Sequence, residues 1–349
     1  MNRNLCDFSL SELKAWLQEQ GEPEFRAQQI FDWVYKKSVG DWEQMSNLSK
    51  TLRRQLSEKI SLFTLSLVRE LPSADGETFK FLWRLADGNL VESVLICSGT
   101  RRTVCVSSQV GCPAKCAFCA SGKQGLVRDL TSAEIVEQVI QINHRLAQKE
   151  ERVTHVVYMG MGEPMRNYEA VVASIRSLIN PAMLDLSQRR ITVSTVGVIE
   201  GIQQLTASGL KVNLVLSLHA PNQQLRKKII PYARQYPLDD IMEAMDRYSA
   251  ETGRDVTYEY TLLAGINDAE EHAEELVRLL KSRQCTVNLI PYNPVSGLKL
   301  QRPKTKEIQK FQEILERERL PNTCRYTKGD DIAAACGQLA LQKVIGCEE

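Results

Sequence analysis

Beyond residue 100 the sequence alternates between short apolar segments and amphipathic segments, and this alternation constrains the fold more than any other feature. The apolar segments have the β-branched character of strands and read "TVCVSSQ", "THVVYMGM", "RITVST", "VNLVLSLH", "VTYEYTLL" and "TVNLIPYN". Most precede a helical pattern such as "LDDIMEAMDRYS", and Thr131 with Glu134 could form the capping box of one such helix. Repeated strand–helix units predict a parallel sheet. Six units are too few for a complete eight-unit barrel, so we expect an α/β fold with a partial (β/α)6 barrel.

Two segments precede this core. Residues 1–60 show apolar residues three and four positions apart in "SLSELKAWLQEQ" and "FRAQQIFDWVYKK", and they predict a small helical N-terminal accessory domain. Residues 61–98 predict a β-hairpin extension, because two β-rich runs flank Asp87-Gly88 in "FKFLWRLADGNLVESVLI". Residues 99–349 then form the core.

Composition excludes binding of nucleic acid through bulk charge. The chain has 44 Lys and Arg against 43 Asp and Glu, so RNA contacts must come from local basic clusters. Each cluster alone is expected to be a solvated surface group: Arg53-Arg54, Arg101-Arg102, Arg189-Arg190 and Arg226-Lys227-Lys228. No segment has the length of a membrane span or the apolar run of a signal peptide, which predicts a cytoplasmic protein with no membrane partner. In that reducing compartment, ten cysteines favour metal binding or thiol chemistry over structural disulfides.

Three cysteines, Cys112, Cys116 and Cys119, have the spacing C-x3-C-x2-C. Structural zinc needs four ligands, and no fourth Cys or His lies close downstream. A catalytic zinc with three thiolates is an alternative, but a [4Fe–4S] cluster is the better match, since three thiolates fix three irons and leave one open. Glycines at 111, 122 and 125 suit a loop around such a cofactor. On the residues alone, Cys105 is a candidate fourth metal ligand.

Small or polar residues stand where several predicted strands end. They are Gly160, Gly162, Glu163, Ser194, Ser217, His219 and Asn293. Ligand-binding groups of parallel α/β folds gather at the carboxyl ends of strands. Any one of these residues is more typical of a turn or a cap, but several in register predict a ligand site at the barrel mouth.

The segments "CPAKCAFC" and "GMGEP" together resemble the radical S-adenosylmethionine (SAM) superfamily, whose fold is a partial β/α barrel. The resemblance implies that Cys112, Cys116 and Cys119 bind a [4Fe–4S] cluster whose open iron chelates SAM. It also implies that Gly162 and Glu163 hold the methionine amino group of SAM. In this superfamily an electron from the cluster cleaves SAM to methionine and a 5′-deoxyadenosyl radical.

Further segments resemble the RlmN/Cfr family of RNA adenine methyltransferases over nearly the whole chain. They are "FRAQQIFDWVYKK", "VESVLI", "CVSSQVGC", "GMGEPMRN", "RRITVSTVG", "SLHAPN", "VNLIPYNP" and "KGDDIAAACGQL". The resemblance implies that each turnover uses two SAM molecules. The first methylates Cys336, and the second activates the resulting S-methyl group. The methylene then bonds to the adenine, Glu92 removes the proton from carbon 2, and Cys105 releases the adduct by a disulfide with Cys336. Without the resemblance, Cys336 would be interpreted as a small buried thiol in a helix, and Glu92 as an exposed hairpin carboxylate.

The same resemblance assigns the remaining contacts and partners. The SAM-binding residues would be Gly162, Glu163, Ser194, Ser217, Leu218, His219 and Asn293. The substrates would be adenosines of 23S ribosomal RNA, in the peptidyl-transferase centre, and of tRNA, beside the anticodon. The helical N-terminal domain would bind RNA, the target nucleotide would be extruded from its stack, and a flavodoxin or ferredoxin would supply electrons.

Two other functions stay open at this point. One is methylation of adenine carbon 8, as in the Cfr-like resistance enzymes, although Pro164 and the "KGDD" segment favour carbon 2. The other is a non-catalytic iron–sulfur protein that binds RNA. Three residues depart from the usual family pattern, and we expect them to affect substrate placement more than radical chemistry: Ala233, Lys328 and Ala333. The remaining cysteines, expected to be structural or incidental, are Cys6, Cys97, Cys285, Cys324 and Cys347.

Overall fold

A computed structural model describes residues 3–325 and 328–339 of the chain, so Cys347 and the end of the expected core lie outside the described residues. The strands are β1 (Arg3–Asn4), β2 (Ile60–Ser61), β3 (Ser66–Pro72), β4 (Thr78–Arg84), β5 (Leu90–Ser98), β6 (Arg101–Cys105), β7 (Gln109–Gly111), β8 (Leu126–Asp129), β9 (His155–Tyr158), β10 (Ile191–Thr195), β11 (Asn213–Ser217), β12 (Val256–Leu262), β13 (Cys285–Pro291) and β14 (Asn322–Cys324). The α-helices are α1 (Leu10–Glu19), α2 (Phe25–Phe31), α3 (Lys50–Lys59), α4 (Ala120–Gln124), α5 (Ser132–Ala147), α6 (Tyr168–Ile179), α7 (Ile199–Ala207), α8 (Gln223–Ile229), α9 (Leu238–Thr252), α10 (Glu270–Leu280) and α11 (Thr305–Arg317). Among the described helices, none is long and apolar enough to cross a membrane.

One large sheet organises the core, in the strand order β14-β13-β12-β11-β10-β9-β6-β5-β4-β3. The six strands expected from the sequence are all present and pair in parallel, which confirms the partial α/β barrel. A seventh parallel strand, β14, was not predicted, because its three residues are too few for a recognisable pattern. The predicted hairpin is present as β4 and β5, but β3 and β6 flank it with antiparallel pairing, so it continues the same sheet.

Side chains alternate between the two faces of each core strand. On β12 the outward residues Tyr258 and Tyr260 are fully buried, and the Tyr260 ring lies 5.2 Å from the ring of Phe311 on α11. Thr257 and Glu259, which alternate with these tyrosines, face a lumen that side chains of β6, β10, β11 and β13 and of the β9 region also line. Because the first and last of these strands reach the same interior, the sheet curves as a partial barrel.

Helix α5 joins the N-terminal helices to the core. Its predicted capping box is present: the Thr131 hydroxyl accepts a hydrogen bond from the Glu134 amide, and the Glu134 carboxylate accepts one from the Thr131 amide. One side of the helix packs in a hydrophobic cluster with α1, α2 and α3, and the opposite side packs in the core. The helix therefore shares its apolar surface between two hydrophobic clusters.

The Glu137 carboxylate on α5 is the polar part of this junction. It is buried and accepts hydrogen bonds from the Thr64 and Leu65 amides, each at 2.7 Å. The Thr64 hydroxyl donates at 2.9 Å, the Asn4 amide nitrogen at 2.7 Å and the Gln141 amide nitrogen at 2.9 Å. Burial raises the pKa of Glu137, while these donors lower it. One carboxylate thus satisfies donors from β1, from the segment before β3 and from α5.

We predict that Glu137→Ala lowers the free energy of unfolding by about 3 kcal/mol, because several buried donors lose their acceptor at once. Urea unfolding of the full chain measures this loss. Glu137→Gln is the matched control, since it retains one acceptor oxygen and should lose less. An alanine variant within about 0.5 kcal/mol of wild type would contradict the structural role.

Candidate active site

The loop with the three clustered cysteines lies between β7 and α4. The Cys112 amide donates to the Gly125 carbonyl at 3.0 Å and closes the loop onto the start of β8. Gly111 has φ +77°, and a Cβ there would lie 1.8 Å from the Gly125 carbonyl oxygen. A Cβ at Gly122 would lie 3.0 Å from the Cys116 amide nitrogen. The first of these positions admits only glycine and the second leaves no room to spare, as expected for a loop wound tightly around a cofactor.

The three thiols line one cavity, and their electrostatics suit a metal centre. Burial raises the pKa of Cys112 to about 12 and the pKa of Cys116 well above its usual value, and charge on Cys119 adds to both shifts. Thiols in such a site become thiolates only when a cation compensates them. A structural zinc ion needs four ligands, and this loop supplies three thiols to the cavity. Cluster cysteines each bind a separate iron, so a set of three thiols fits a [4Fe–4S] cluster with one open iron.

The cavity at the carboxyl ends of the strands, here called the upper cavity, gathers most of the expected ligand-binding residues. Beside the three thiols it is lined by Gly162, Glu163, Ser194, Ser217, His219 and Cys336. Leu218, between two of these residues, is fully buried and does not line the cavity. The Ser194 and Ser217 hydroxyls lie 3.1 Å apart across the ends of β10 and β11.

Two buried charged groups shape the upper cavity. The Glu163 carboxylate accepts hydrogen bonds from the Val196 amide at 2.8 Å and the Met165 amide at 3.0 Å, and burial raises its pKa. Arg226 was expected in a solvated surface cluster, but its side chain is fully buried. Its guanidinium donates to the carbonyls of Val196, Ser217 and Leu218, and burial lowers its pKa to about 10. The pattern "QQLRKKI" predicted an exposed basic cluster, but the short helix α8 buries one of its three basic residues, Arg226.

His219 presents a neutral ring to the cavity. Its Nδ1 accepts a hydrogen bond from the Thr261 amide at 2.9 Å, which leaves the proton on Nε2. Burial lowers the pKa of His219 to about 3, and the positive charge of Arg226 acts in the same direction. The ring also lies edge-on to Phe118, with centroids 4.7 Å apart. His219 is therefore a hydrogen-bond donor and not a cation.

A second cavity, here called the lower cavity, occupies the other half of the lumen, and Cys105 and Asn293 line it. Cys336 lines both cavities, together with Met159 and Ile290. It lies in a turn and is exposed to the cavities, so the expectation of a buried helical thiol is wrong. The surrounding protein raises the pKa of Cys336 to about 11, and the carboxylate of Glu259 adds to the shift. The side-chain nitrogen of Asn293, a residue expected to contact SAM, donates to the Cys336 carbonyl at 3.3 Å.

Cys105 lies at the end of β6, where burial and then charge on Cys336 raise its pKa. Both thiols are free. The structure thus places the two cysteines in one cavity and leaves Cys105 away from the three-cysteine loop (Cys112–Cys119), so it gives no support to a role as fourth metal ligand.

Glu92 lines neither cavity. It is buried on β5, 3.4 Å from the Lys80 ammonium on β4, so the expectation of an exposed hairpin carboxylate is wrong. Lys80 also donates to the Ala333 carbonyl at 3.3 Å. Lys80 therefore connects the Glu92 carboxylate to the segment that carries Cys336.

Sequence reasoning missed Glu259, a lumen-facing residue of β12. It is buried, lines the upper cavity, and its Oε1 has no hydrogen-bond partner among the described residues. Burial raises its pKa, and the positive charge of Arg325 opposes that shift. The sequence does carry a signal for Glu259, because it is the lone carboxylate in the strand "VTYEYTLL".

The three departures from the family pattern have clear structural settings. Lys328 pairs with Glu77 at 2.6 Å and donates to the Cys97 carbonyl. Ala333 has φ +51°, a conformation that Asn and Asp tolerate better than Ala. Ala233 is buried, and its carbonyl accepts a hydrogen bond from Gln223. Of the three, Ala333 is closest to Cys336 and is the one in a strained conformation.

Comparison with known proteins agrees with this architecture. Residues 3–62 match the ribosomal RNA large subunit methyltransferase N-terminal domain, and residues 106–280 match the radical SAM superfamily. The chain is 65% identical to a probable dual-specificity RNA methyltransferase RlmN 2 of Protochlamydia amoebophila, over 97% of this chain and 94% of that protein. It is 46% identical to a probable RlmN of Rhodopirellula baltica, over 96% and 90%. A crystal structure of a radical SAM methyltransferase from Sphaerobacter thermophilus superposes with a TM-score of 0.94 at 45% identity, covering 97% of this chain and 99% of that chain.

We predict that Gly111→Ala removes most of the iron that the full chain binds on anaerobic reconstitution, because its Cβ collides with the Gly125 carbonyl. Gly253→Ala, just after α9 and outside this loop, is the control. Its backbone is left-handed (φ +67°, ψ 26°) and nothing lies within 4 Å of the added Cβ, so its only cost should be roughly 1–2 kcal/mol of backbone strain. Iron per chain and thermal unfolding measure both variants. Equal iron content in the two variants would show that the collision does not matter.

Proposed function

The chain belongs to the RlmN-type dual-specificity RNA methyltransferases of the radical SAM family, and from that membership we propose that it methylates carbon 2 of adenosine in 23S ribosomal RNA and in tRNA. The observation that carries the proposal is the position of Cys336, which opens into both cavities, with the metal-binding thiols in one and Cys105 in the other. A thiol that first accepts a methyl group and then transfers its carbon needs access to two reactants.

The upper cavity would hold the cofactors of the family, a [4Fe–4S] cluster and SAM. Cys112, Cys116 and Cys119 would bind the cluster, and Gly162 and Glu163 would bind the amino group of SAM. Ser194, Ser217 and His219 offer hydroxyl and ring N–H groups for the rest of SAM, with the backbone of Leu218 behind them. When bound, the reduced cluster supplies the electron that cleaves SAM and so makes hydrogen abstraction accessible.

Cys336 and Cys105 would carry out the thiol chemistry. The Cys336 sulfur would take the methyl group of a first SAM by displacement, with S-adenosylhomocysteine as the leaving group. After loss of a hydrogen atom to the 5′-deoxyadenosyl radical, that carbon would bond to carbon 2 of the adenine, and the adduct would lose one electron to the oxidised cluster and the carbon 2 proton to a base. Attack by the Cys105 thiolate on the Cys336 sulfur would then form a disulfide and break the carbon–sulfur bond. The carbon would keep the electron pair and take up a proton, which releases the methylated base, and an external reductant would restore the two thiols. Glu92 would accept the carbon 2 proton. Lys80 connects the Glu92 carboxylate to the segment that carries Cys336.

The remaining parts of the proposal concern partners. The N-terminal helices would bind RNA as an accessory domain, a flavodoxin or ferredoxin would reduce the cluster, and two SAM molecules would be consumed per turnover in the cytoplasm. Methylation of adenine carbon 8 and RNA binding without catalysis are the competing functions.

We predict that the anaerobically reconstituted chain, with SAM and a reductant, forms 2-methyladenosine in ribosomal RNA and in tRNA, and that Cys336→Ala abolishes the product. Nucleoside mass spectrometry of the two RNA pools, digested separately, measures it. Product that is only 8-methyladenosine would assign the carbon 8 reaction. No methylated adenosine, with a reducible cluster present, would refute catalysis on these RNAs and favour the binding function.

We predict that Cys105→Ala accumulates a covalent protein–RNA adduct, because the S-methylene carbon bonds to the base but no thiol releases it. A denaturing gel with labelled RNA detects the adduct, and nuclease digestion before mass spectrometry locates it at Cys336. Cys97→Ala, a half-buried thiol on the neighbouring strand, is the control and should leave no adduct. Free RNA alone in the Cys105→Ala lane would contradict the resolving role.

A further inference from the structure

The lower cavity is large, and its shape follows from the strand alternation. It has a volume of about 610 Å³, within the range of ligand pockets. Asp255, directly before β12, and Thr257 within it line the lower cavity, and the next two lumen-facing residues, Glu259 and Thr261, line the upper one. The same division recurs on β10 and β11, whose amino ends contribute to the lower cavity. The lower cavity therefore lies toward the amino ends of the strands, at the opposite end of the lumen from the three-cysteine loop.

Its inner end is reactive and its outer end is positively charged. Cys105 and Cys336 lie at the inner end. Arg101, at the exposed start of β6, and Arg325, after β14, line the same cavity. Within residues 3–325 and 328–339 neither guanidinium forms an ion pair with a carboxylate, although Arg325 is near enough to Glu259 to lower the pKa of that carboxyl. Burial lowers the pKa of Arg101, and the positive charge of Arg325 lowers it further. Two neighbouring cations of this kind are suited to bind an external anion.

Other charges near this end reinforce the pattern. Burial lowers the pKa of His155, and the charges of Arg101 and Arg190 lower it further, so a second cation lies close to the first. Lys328 lines the cavity but already pairs with Glu77. Asp255, a carboxylate in the lining, accepts a hydrogen bond from Gln284. In a chain of formal net charge +1, this is a local basic patch of the kind that an RNA contact requires.

The walls between these ends are largely apolar. Val94, Ile96, Val157 and Val215 line the cavity, and aliphatic side chains of this kind can pack against the faces of a flat heterocycle. A base inside a duplex cannot reach Cys336 through such an opening, so the nucleotide has to leave its stack.

We propose that the RNA enters the barrel from the amino ends of the strands: one extruded adenosine fills the lower cavity, and Arg101 and Arg325 bind the flanking phosphates. The inference rests on the proposed function, because it takes RNA as the substrate. The two reactants then approach Cys336 from opposite halves of the lumen, SAM from the upper cavity and the nucleotide from the lower one.

The first test measures the affinity of the full reconstituted chain for a fluorescent single-stranded RNA with one central adenosine among uridines. Arg101→Ala/Arg325→Ala should weaken binding about tenfold or more at physiological salt and lower the slope of log affinity against log salt by about 1.5, since each phosphate contact in single strands contributes about 0.7. Lys306→Ala/Lys310→Ala is the matched control. It removes the same charge from exposed positions of α11 and should bind like wild type.

The second test locates the base. Wild type should bind the adenosine RNA more tightly than the same RNA with an abasic site at the centre. Thr257→Phe fills the lower cavity and should remove that difference, with the iron content measured to verify that the cluster site is intact. This variant probes the space, and the arginine variant probes the charge.

The outcomes separate the two hypotheses. Wild-type salt slope and affinity in the arginine variant, or an undiminished preference for adenosine over the abasic site in Thr257→Phe, would overturn the entry route while 2-methyladenosine formation by wild type still stands. Absence of any RNA binding by wild type, with no methylated adenosine, would overturn the proposed function and the entry route together. Loss of the adenosine preference and a reduced salt slope would support the route.

Discussion

The alternation of side chains along the curved parallel sheet is the constraint on which both cavities depend. On β12 the sequence Asp255 to Thr261 places every second residue in the lumen, and the seven-pair register with β13 fixes the height of each. A shift by one residue would turn Glu259 outward and bring Tyr258 and Tyr260 into the lumen. The fully buried tyrosines on the outer face oppose that shift, because they pack against the helices. Core packing outside the barrel thus determines which groups reach the chemistry inside it.

Buried charge at the upper cavity is tolerated because each charged group has several partners. Arg226 donates to three backbone carbonyls from the segments that follow β10 and from the end of β11, and so it ties two strand ends together. Burial raises the pKa of Cys116 and of Glu163, and the positive charge of Arg226 partly opposes both shifts. A bound cluster with three thiolates would place negative charge in the same region, and Arg226 would compensate part of it. The residue that sequence reasoning assigned to the surface is therefore an electrostatic support of the site.

Local pattern was sufficient for the six core strands from β6 to β13 that were expected, for the capping box of α5 and for most residues of the upper cavity, Glu259 excepted. Those features depend on side-chain periodicity and on short motifs within one segment. What the sequence did not predict depends on contacts between distant segments. The continuation of the sheet through β3 requires pairing that no local pattern encodes, and the burial of Glu92 requires both Lys80 and the segment around Ala333. Arg226 illustrates the same limit, because a basic run gives no indication of which member will find carbonyl partners.

The position of Cys336 between the two cavities is fixed by a short segment anchored on both sides. Next to the three-cysteine loop, the Gly337 carbonyl accepts a hydrogen bond from the Ala120 amide at 2.7 Å, and the Leu339 carbonyl accepts one from the Ser121 hydroxyl. Toward the hairpin, Lys80 binds the Ala333 carbonyl. Gln338 closes the segment on itself through Asp330 at 2.6 Å. Ala120 and Ser121 belong to α4, directly after Cys119, and Lys80 is the ion-pair partner of Glu92. The hydrogen bonds that position the Cys336 thiol therefore also set its distance from the three-cysteine loop and from the proposed base.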